Sequence, residues 1–82
     1  MVHVYNKIPT NEYVIVATWN CKVFLGLLDV NLNDYVRLKD GVEVYELGNV
    51  TTTYMIPEIT VDKADIEIMA PIQYMTVEER LY

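Results

Sequence analysis

Two pairs of acidic residues come nearest, in this sequence, to a catalytic or metal-binding arrangement. Glu43 with Glu46, and Asp65 with Glu67, are close enough along the chain to share acid–base work or a calcium ion. Neither pair lies in a glycine-anchored loop with further oxygen ligands at the spacing that calcium requires. Acids that share the exposed face of a strand usually meet only solvent. We therefore interpret both pairs as surface residues.

No other side chain completes a catalytic or metal site. His3 is the only histidine and Cys21 the only cysteine, so a zinc site lacks ligands and an internal disulfide cannot form. No nucleophile is paired with a base, and no Gly-x-Ser-x-Gly or phosphate-binding loop occurs. The sequence predicts a non-enzymatic protein without metal or cofactor, in which Cys21 is a small buried hydrophobic residue.

The length of the chain favours self-association. Its 82 residues make one small domain, and a chain of this size buries only about 60–65% of the surface that its unfolded form exposes. Small domains gain stability from disulfides, metals or oligomerisation. Because the residues for a disulfide or a metal site are missing, oligomerisation remains.

The net charge of −6 is concentrated in the second half of the chain. Residues 1–39 carry four basic and three acidic side chains, whereas residues 40–82 carry two basic and nine acidic ones. Proteins that bind nucleic acids through phosphate contacts usually have the opposite balance. Two interpretations stay open: acids that keep a β-rich surface soluble, and an acidic surface that engages a basic protein partner.

The sequence is also rich in large aromatic residues, with seven tyrosines and Trp19. Tyrosine combines an apolar ring with a polar hydroxyl, so it is typical of half-buried barrel ends and subunit interfaces. The same rings could instead form a stacking platform for single-stranded nucleic acid. Such platforms carry interleaved lysine and arginine, but Tyr45 lies between Glu43 and Glu46, and Tyr54 has no basic neighbour. The pattern favours interface packing.

Alternation with a period of two residues predicts short β-strands along the whole chain. In residues 13–19, Val14, Val16 and Thr18 form one face of such a strand. Pro57 either ends a strand or places it on an edge. Turns are predicted at 7–11, at 39–41 (a turn or a bulge), at 48–49 and at 61–65. Further strands are predicted at 2–5 and 72–75, and one helical turn at 76–79. Five or six strands in one domain, residues 1–82, indicate an all-β barrel.

The segment from Cys21 to Leu38 carries the most specific signal. An apolar strand reaches Gly26, passes Leu28 and crosses a polar loop at 31–34 before it returns. A glycine within a strand often marks a sharp bend or a close backbone approach. This arrangement resembles the first motif of the Sm and Sm-like (LSm) family. The resemblance implies a strongly bent, open barrel whose edges join those of neighbouring copies into a ring, often with RNA bound.

The resemblance also implies where a nucleotide would bind. The family loop reads Asp-x-aromatic-Met-Asn, and it binds a base by stacking and by a hydrogen bond from the asparagine. Asn31, Asn33 and Tyr35 are the counterparts here, in a loop one residue shorter than the family pattern. The alternative is that Asn31, Asn33 and Asp34 are turn residues, selected because they tolerate positive φ and cap the backbone.

The second family motif runs Ile-Arg-Gly-x-Asn-Ile, and its arginine packs over the base near the ring pore. The best counterpart in this sequence is the segment from Ile68 to Ile72, with Met69 and Ala70 in the arginine and glycine places. Without a guanidinium there is no stacked or bidentate contact to a nucleotide. The resemblance therefore supports the fold and the ring, whereas this substitution argues against an inherited RNA pocket.

These features predict an Sm-like protomer of a homo-oligomeric ring, with divergent binding of single-stranded RNA as a further function. Two alternatives stay open: an acidic module that binds a basic protein, and a structural part of a larger particle. Residues 2–5 look like a strand where many family members carry a helix, which resembles the small Sm-like proteins of tailed phages. No apolar run approaches the roughly 20 residues that span a bilayer, and the N-terminus lacks a secretion signal. We expect a cytoplasmic protein with no membrane partner, in the host cell if a phage encodes it.

Overall fold

The computed structural model describes residues 8–47 and 50–72, which form a sheet of five strands. The strands are β1 Tyr13–Thr18, β2 Val23–Asn31, β3 Tyr35–Leu47, β4 Val50–Asp62 and β5 Ile66–Pro71. One short 3-10 helix, Lys63–Asp65, links β4 to β5. The predicted segments 2–5 and 76–79 lie outside the described residues, as does the segment 72–75 beyond Ile72.

The strand order is β4-β3-β2-β1-β5, and all the pairs are antiparallel. β4 and β5 are therefore the two edges of the sheet. β3 and β4 keep one register up to the pair Leu47 and Val50. The turn predicted at 48–49 lies outside the described residues. Pro57 does not end its strand but lies within edge strand β4, the second of the two predicted arrangements.

Two glycines meet where the sheet bends. A Cβ added to Gly26 in β2 would lie 3.1 Å from the Cα of Gly41 in β3. A Cβ on Gly41 would lie only 2.7 Å from the carbonyl oxygen of Leu25, so a side chain there requires the backbone to shift. The β2–β3 register changes at this point, and Asp40 has a φ of 50°. Together these features define a β-bulge, which is one of the two arrangements predicted for 39–41. The close backbone approach predicted at Gly26 is confirmed.

The core lies on the inner side of the bent sheet. Val14, Val16 and Thr18 are all buried, so they share one face of β1 as predicted, and this face is the inner one. The hydroxyl of Thr18 donates to the side-chain oxygen of Asn20 and accepts the backbone N–H of Lys22 at 3.2 Å, so this buried polar group is satisfied. The buried apolar residues of the described chain are Ile8, Val14, Val16, Phe24, Leu28, Val36, Leu38, Val61, Ile66 and Met69.

The outer face differs on the two sides of the bend. On one side, laterally paired residues form two rows across all five strands, here called the apolar half. The rows are Ile68–Ala17–Val23–Val44–Thr53 and Ala70–Ile15–Leu25–Val42–Met55. On the other side, here called the charged half, the Asp29 carboxylate lies 3.3 Å from Nε of Arg37 and 3.6 Å from Nζ of Lys39. The bend therefore separates an uncharged surface from a cluster of ion pairs.

Candidate nucleic-acid interface and assembly edges

The predicted nucleotide-binding residues lie at the turn between β2 and β3. Asn31 ends β2, Tyr35 begins β3, and the backbone N–H of Leu32 donates to the Tyr35 carbonyl oxygen at 2.9 Å. Asn33 is exposed, whereas Asn31 and Tyr35 are half-buried. Nδ2 of Asn31 donates to the carbonyl oxygen of Ile8 at 3.0 Å, which anchors the segment before β1. One candidate amide thus has a structural contact, and the other lies at the surface.

Asn31 and Asn33 do lie at a turn, as the alternative interpretation predicted, but neither has the positive φ that it expected. Among the non-glycine residues of the described chain, positive φ occurs at Asn11, Cys21 and Asp40, and not in the 31–34 turn. The φ of 68° at Cys21 lies in the β1–β2 turn, where the cysteine is exposed. The prediction of a buried Cys21 is therefore wrong, because the tight turn turns its side chain to solvent.

The connection between β4 and β5 lies beside the β2–β3 turn. The backbone N–H of Lys63 donates to the carbonyl oxygen of Asp34 at 2.9 Å, and Tyr35 pairs with Asp62. Residues 61–66 read Val-Asp-Lys-Ala-Asp-Ile, which has the apolar ends and the six-residue length of Ile-Arg-Gly-x-Asn-Ile. A residue that packs over a base in the first loop must lie beside that loop. Residues 61–66 therefore lie where the resemblance would require the second motif.

The sequence-based assignment of that motif to Ile68–Ile72 is wrong. Ile68 pairs with Ala17 and Pro71 with Val14, so this segment continues β5 along β1 instead of forming a loop. Met69, in the predicted arginine place, is a core residue with 2% of its surface exposed. In the corrected alignment Asp62 takes the arginine place and Lys63 the glycine place. The resemblance would require a guanidinium at this place, and the chain has a carboxylate there.

The candidate interface is acidic. The two adjacent connections carry the exposed carboxylates of Asp34, Asp62 and Asp65 and the half-buried ammonium group of Lys63. Burial lowers the pKa of Lys63, and the nearby charge of Asp34 opposes that shift. A phosphate backbone approaching this surface meets more negative than positive charge, which disfavours binding.

Within the described residues, no three His, Cys, Asp or Glu side chains come together to hold a metal ion. None of the described helical residues makes a span that could cross a membrane.

The aromatic surplus is partly exposed on the β3–β4 hairpin. The rings of Tyr45 and Tyr54 pack edge to face with centroids 5.2 Å apart, and both are at least 40% exposed. A hydrogen bond with Glu43 raises the pKa of Tyr45. Trp19, just after β1, is 61% exposed. The Tyr45 ring thus lies beside the Glu43 carboxylate, as the sequence predicted.

Both edge strands expose a large apolar side chain. Met55 on β4 is 88% exposed, and Ile68 on β5 is 54% exposed. Open edges present unpaired backbone groups and are templates for pairing with another chain. Pro57 removes one N–H from β4, so it limits a continuous ladder along that edge. The two edges are thus the surfaces of the described chain best suited to strand pairing.

No protein-family model and no curated protein matches the chain. Among solved structures, a heptameric archaeal Sm protein matches it with 17% sequence identity and a TM-score of 0.68, over 83% of this chain and 96% of that one. A chain of the NatC complex bound to CoA matches with 14% identity and a TM-score of 0.60, over 84% of this chain and 83% of that one. The protein therefore has an Sm-like fold, which confirms the predicted fold class. Neither matched structure supports a phage source.

Proposed function

We propose that this protein is a non-enzymatic protomer of a homo-oligomeric ring, in which β4 of one copy pairs with β5 of the next. The observation that carries the proposal is the pair of open edges, each with an exposed apolar residue, Met55 or Ile68. Contacts between two different edges are heterologous, and they close into a ring when the rotation per copy permits. The similarity to a heptameric Sm protein supports this arrangement.

Edge pairing would also join the apolar halves of neighbouring copies. One row of the apolar half ends at Met55 on β4, and the other begins at Ile68 on β5. Bringing these edges together shields both side chains from water, which contributes roughly 25 cal/mol per Å² of apolar surface. It also removes the aggregation hazard of two open edges.

Measurement of the mass in solution tests the ring. Size-exclusion chromatography with light scattering at micromolar concentration is expected to give one species with a mass several times that of the 9.5 kDa chain. A strict monomer at that concentration would exclude the ring.

Divergent binding of single-stranded RNA, through the Asn33 amide and the Tyr35 ring, is proposed as a further function. Its support is the place of these residues in the turn that corresponds to the family's base-binding loop. The carboxylates of Asp34 and Asp62 oppose it. Titration of a labelled uridine-rich oligonucleotide at about 50 mM salt, where phosphate contacts are strongest, tests it. Failure to bind under these conditions removes this function and leaves the ring proposal intact.

Binding of a basic protein partner is the second candidate function. The specific observation is the acidic surface formed by the β2–β3 and β4–β5 connections, where Asp34, Asp62 and Asp65 outnumber Lys63. Opposite charge on a partner would accelerate and orient its approach. Affinity capture from a cell extract at low salt should return a basic protein that about 0.5 M salt releases, since screening weakens exposed charge pairs. Recovery of no basic protein would count against this function.

A further inference from the structure

A cavity of about 270 Å³ lies between the β1–β2 hairpin and the C-terminal part of β4. We propose that it binds an arginine side chain of a partner protein whose extended segment lies along the edge of β4. This inference deepens the second candidate function and rests on it. The cavity is built by a single protomer, so it does not depend on the ring.

The floor of the cavity combines apolar side chains with the buried Thr18. Phe24 and Val61 line it, and only 5% and 7% of their surfaces are exposed. Ile59 also lines it and packs against the same core. Long basic side chains bury their methylene stems on such surfaces while the charged end stays near water. The floor therefore suits the stem of an arginine.

The rim of the cavity favours a cation. Asp62 and Asp65 contribute two exposed carboxylates, and Lys22 contributes one ammonium group. An anion at this rim would meet two like charges, whereas a guanidinium offers five donors in a planar fork that matches carboxylate oxygens. The positive charge of Lys22 repels a cationic ligand and weakens its binding. A neutral residue at this position should therefore increase the affinity.

The position of the cavity favours a protein segment over a free small molecule. Four consecutive β4 residues, 59–62, line the cavity, and β4 is an edge of the sheet. An extended peptide can add to such an edge through backbone hydrogen bonds while one of its side chains enters a pocket. β5 has six residues and β4 has thirteen, so a neighbouring copy's β5 would leave part of this edge open.

The test uses the full chain and an acetylated, amidated pentapeptide, Thr-Val-Arg-Val-Thr, followed by isothermal titration calorimetry at about 50 mM salt. Trp19 supplies a second signal, because it is the only tryptophan and its backbone N–H donates to the Asp65 carbonyl oxygen at 3.0 Å. We expect the arginine peptide to bind about tenfold more tightly than the same peptide with norleucine, and more tightly than arginine amide. Equal binding of the norleucine peptide would exclude a cation site. Equal binding of arginine amide would exclude the peptide source.

Charge variants locate the binding. Replacement of both rim acids, Asp62→Asn with Asp65→Asn, should weaken the arginine peptide about tenfold, and Lys22→Gln should strengthen it about threefold. The control removes two charges elsewhere, Asp40→Asn with Glu46→Gln, and should leave the affinity within about twofold. Asparagine tolerates the positive φ of Asp40. An equal loss in the control would show a bulk charge effect and overturn the site.

The result also separates this inference from the function on which it rests. Capture of a salt-released basic protein together with no binding of the arginine peptide would leave the function and overturn the cavity site. Binding of the peptide at the rim together with no captured basic protein would support the site and count against the function in that extract.

Discussion

The two halves of the outer face meet at the Gly26–Gly41 bend and differ in what they can contact. The apolar half presents two uncharged rows across five strands, and it reaches both open edges of the sheet. The charged half holds the carboxylate of Asp29 beside the cationic groups of Arg37 and Lys39. Because one continuous sheet carries both surfaces, the bend marks the boundary between the uncharged part and the charged part.

The difference is also energetic. Removing apolar surface from water contributes roughly 25 cal/mol per Å², whereas exposed ion pairs usually contribute about 0–1 kcal/mol. Changes in the apolar half should therefore alter association strongly, and changes in the charged half should alter stability only slightly. The bend itself should be the most sensitive position, since it determines both surfaces.

Gly41→Ala should produce the largest effect, because its Cβ would lie 2.7 Å from the backbone oxygen of Leu25. We expect a loss of about 3 kcal/mol in the free energy of unfolding, in the range of the larger single substitutions. Gly26→Ala is the matched control: its nearest contacts, at 3.1 and 3.2 Å, allow partial accommodation, with a loss of about 1 kcal/mol. Urea denaturation measures both values. Equal stability of the two variants would show that the backbone contact does not define the bend.

Ile68→Lys should abolish the proposed ring, because it places a charge on the 54% exposed edge residue of the apolar half. The expected loss per interface is about 2 kcal/mol, from the apolar burial that is given up. Leu32→Lys is the matched control, since Leu32 is 48% exposed but lies in the β2–β3 turn. Light scattering should find protomers for the first variant and the original mass for the second. Dissociation of both would point to total charge, and not to the edge, as the cause.

Asp29→Asn should produce the smallest effect. It removes a carboxylate that lies near two cations, all of them substantially exposed to solvent. We expect a loss below about 1 kcal/mol at low salt that becomes smaller at high salt, since screening weakens exposed pairs. Urea denaturation at about 0.02 and 1 M salt measures it. A loss as large as that of Gly41→Ala would contradict the energetic difference between the two halves.

Local patterns predicted most of the fold. The common face of Val14, Val16 and Thr18 in β1 follows from simple alternation, and the close approach at Gly26 follows from a glycine within an apolar strand. The 39–41 segment could be read as a turn or a bulge, because the sequence does not show whether the neighbouring strands continue past it. In the structure β2 and β3 pair on both sides of Asp40, so the segment is a bulge within a continuous strand.

The candidate site was harder to predict because it depends on contacts between distant segments. The hydrogen bond from Asn31 to Ile8 joins residues that no local pattern connects. The second motif was assigned to Ile68–Ile72 because that segment has apolar residues at similar positions. A strand and a loop can share such a pattern, so the pattern alone does not separate them. The length of the segment was the better signal, because Val61 to Ile66 spans six residues, as the family motif does.

The sheet order has a consequence for how the chain folds. β4, β3, β2 and β1 pair with their neighbours in sequence, whereas β5 follows β4 after the short helix Lys63–Asp65 but pairs with β1. That pairing closes a long loop, which contains β2, β3 and β4. Closing that long loop costs more chain entropy than forming a local hairpin, so β5 should dock last. β1 would then be the last of the inner strands to gain its second neighbour. Pulse-labelling hydrogen exchange should therefore find the β5 amides protected after those of the β3–β4 hairpin.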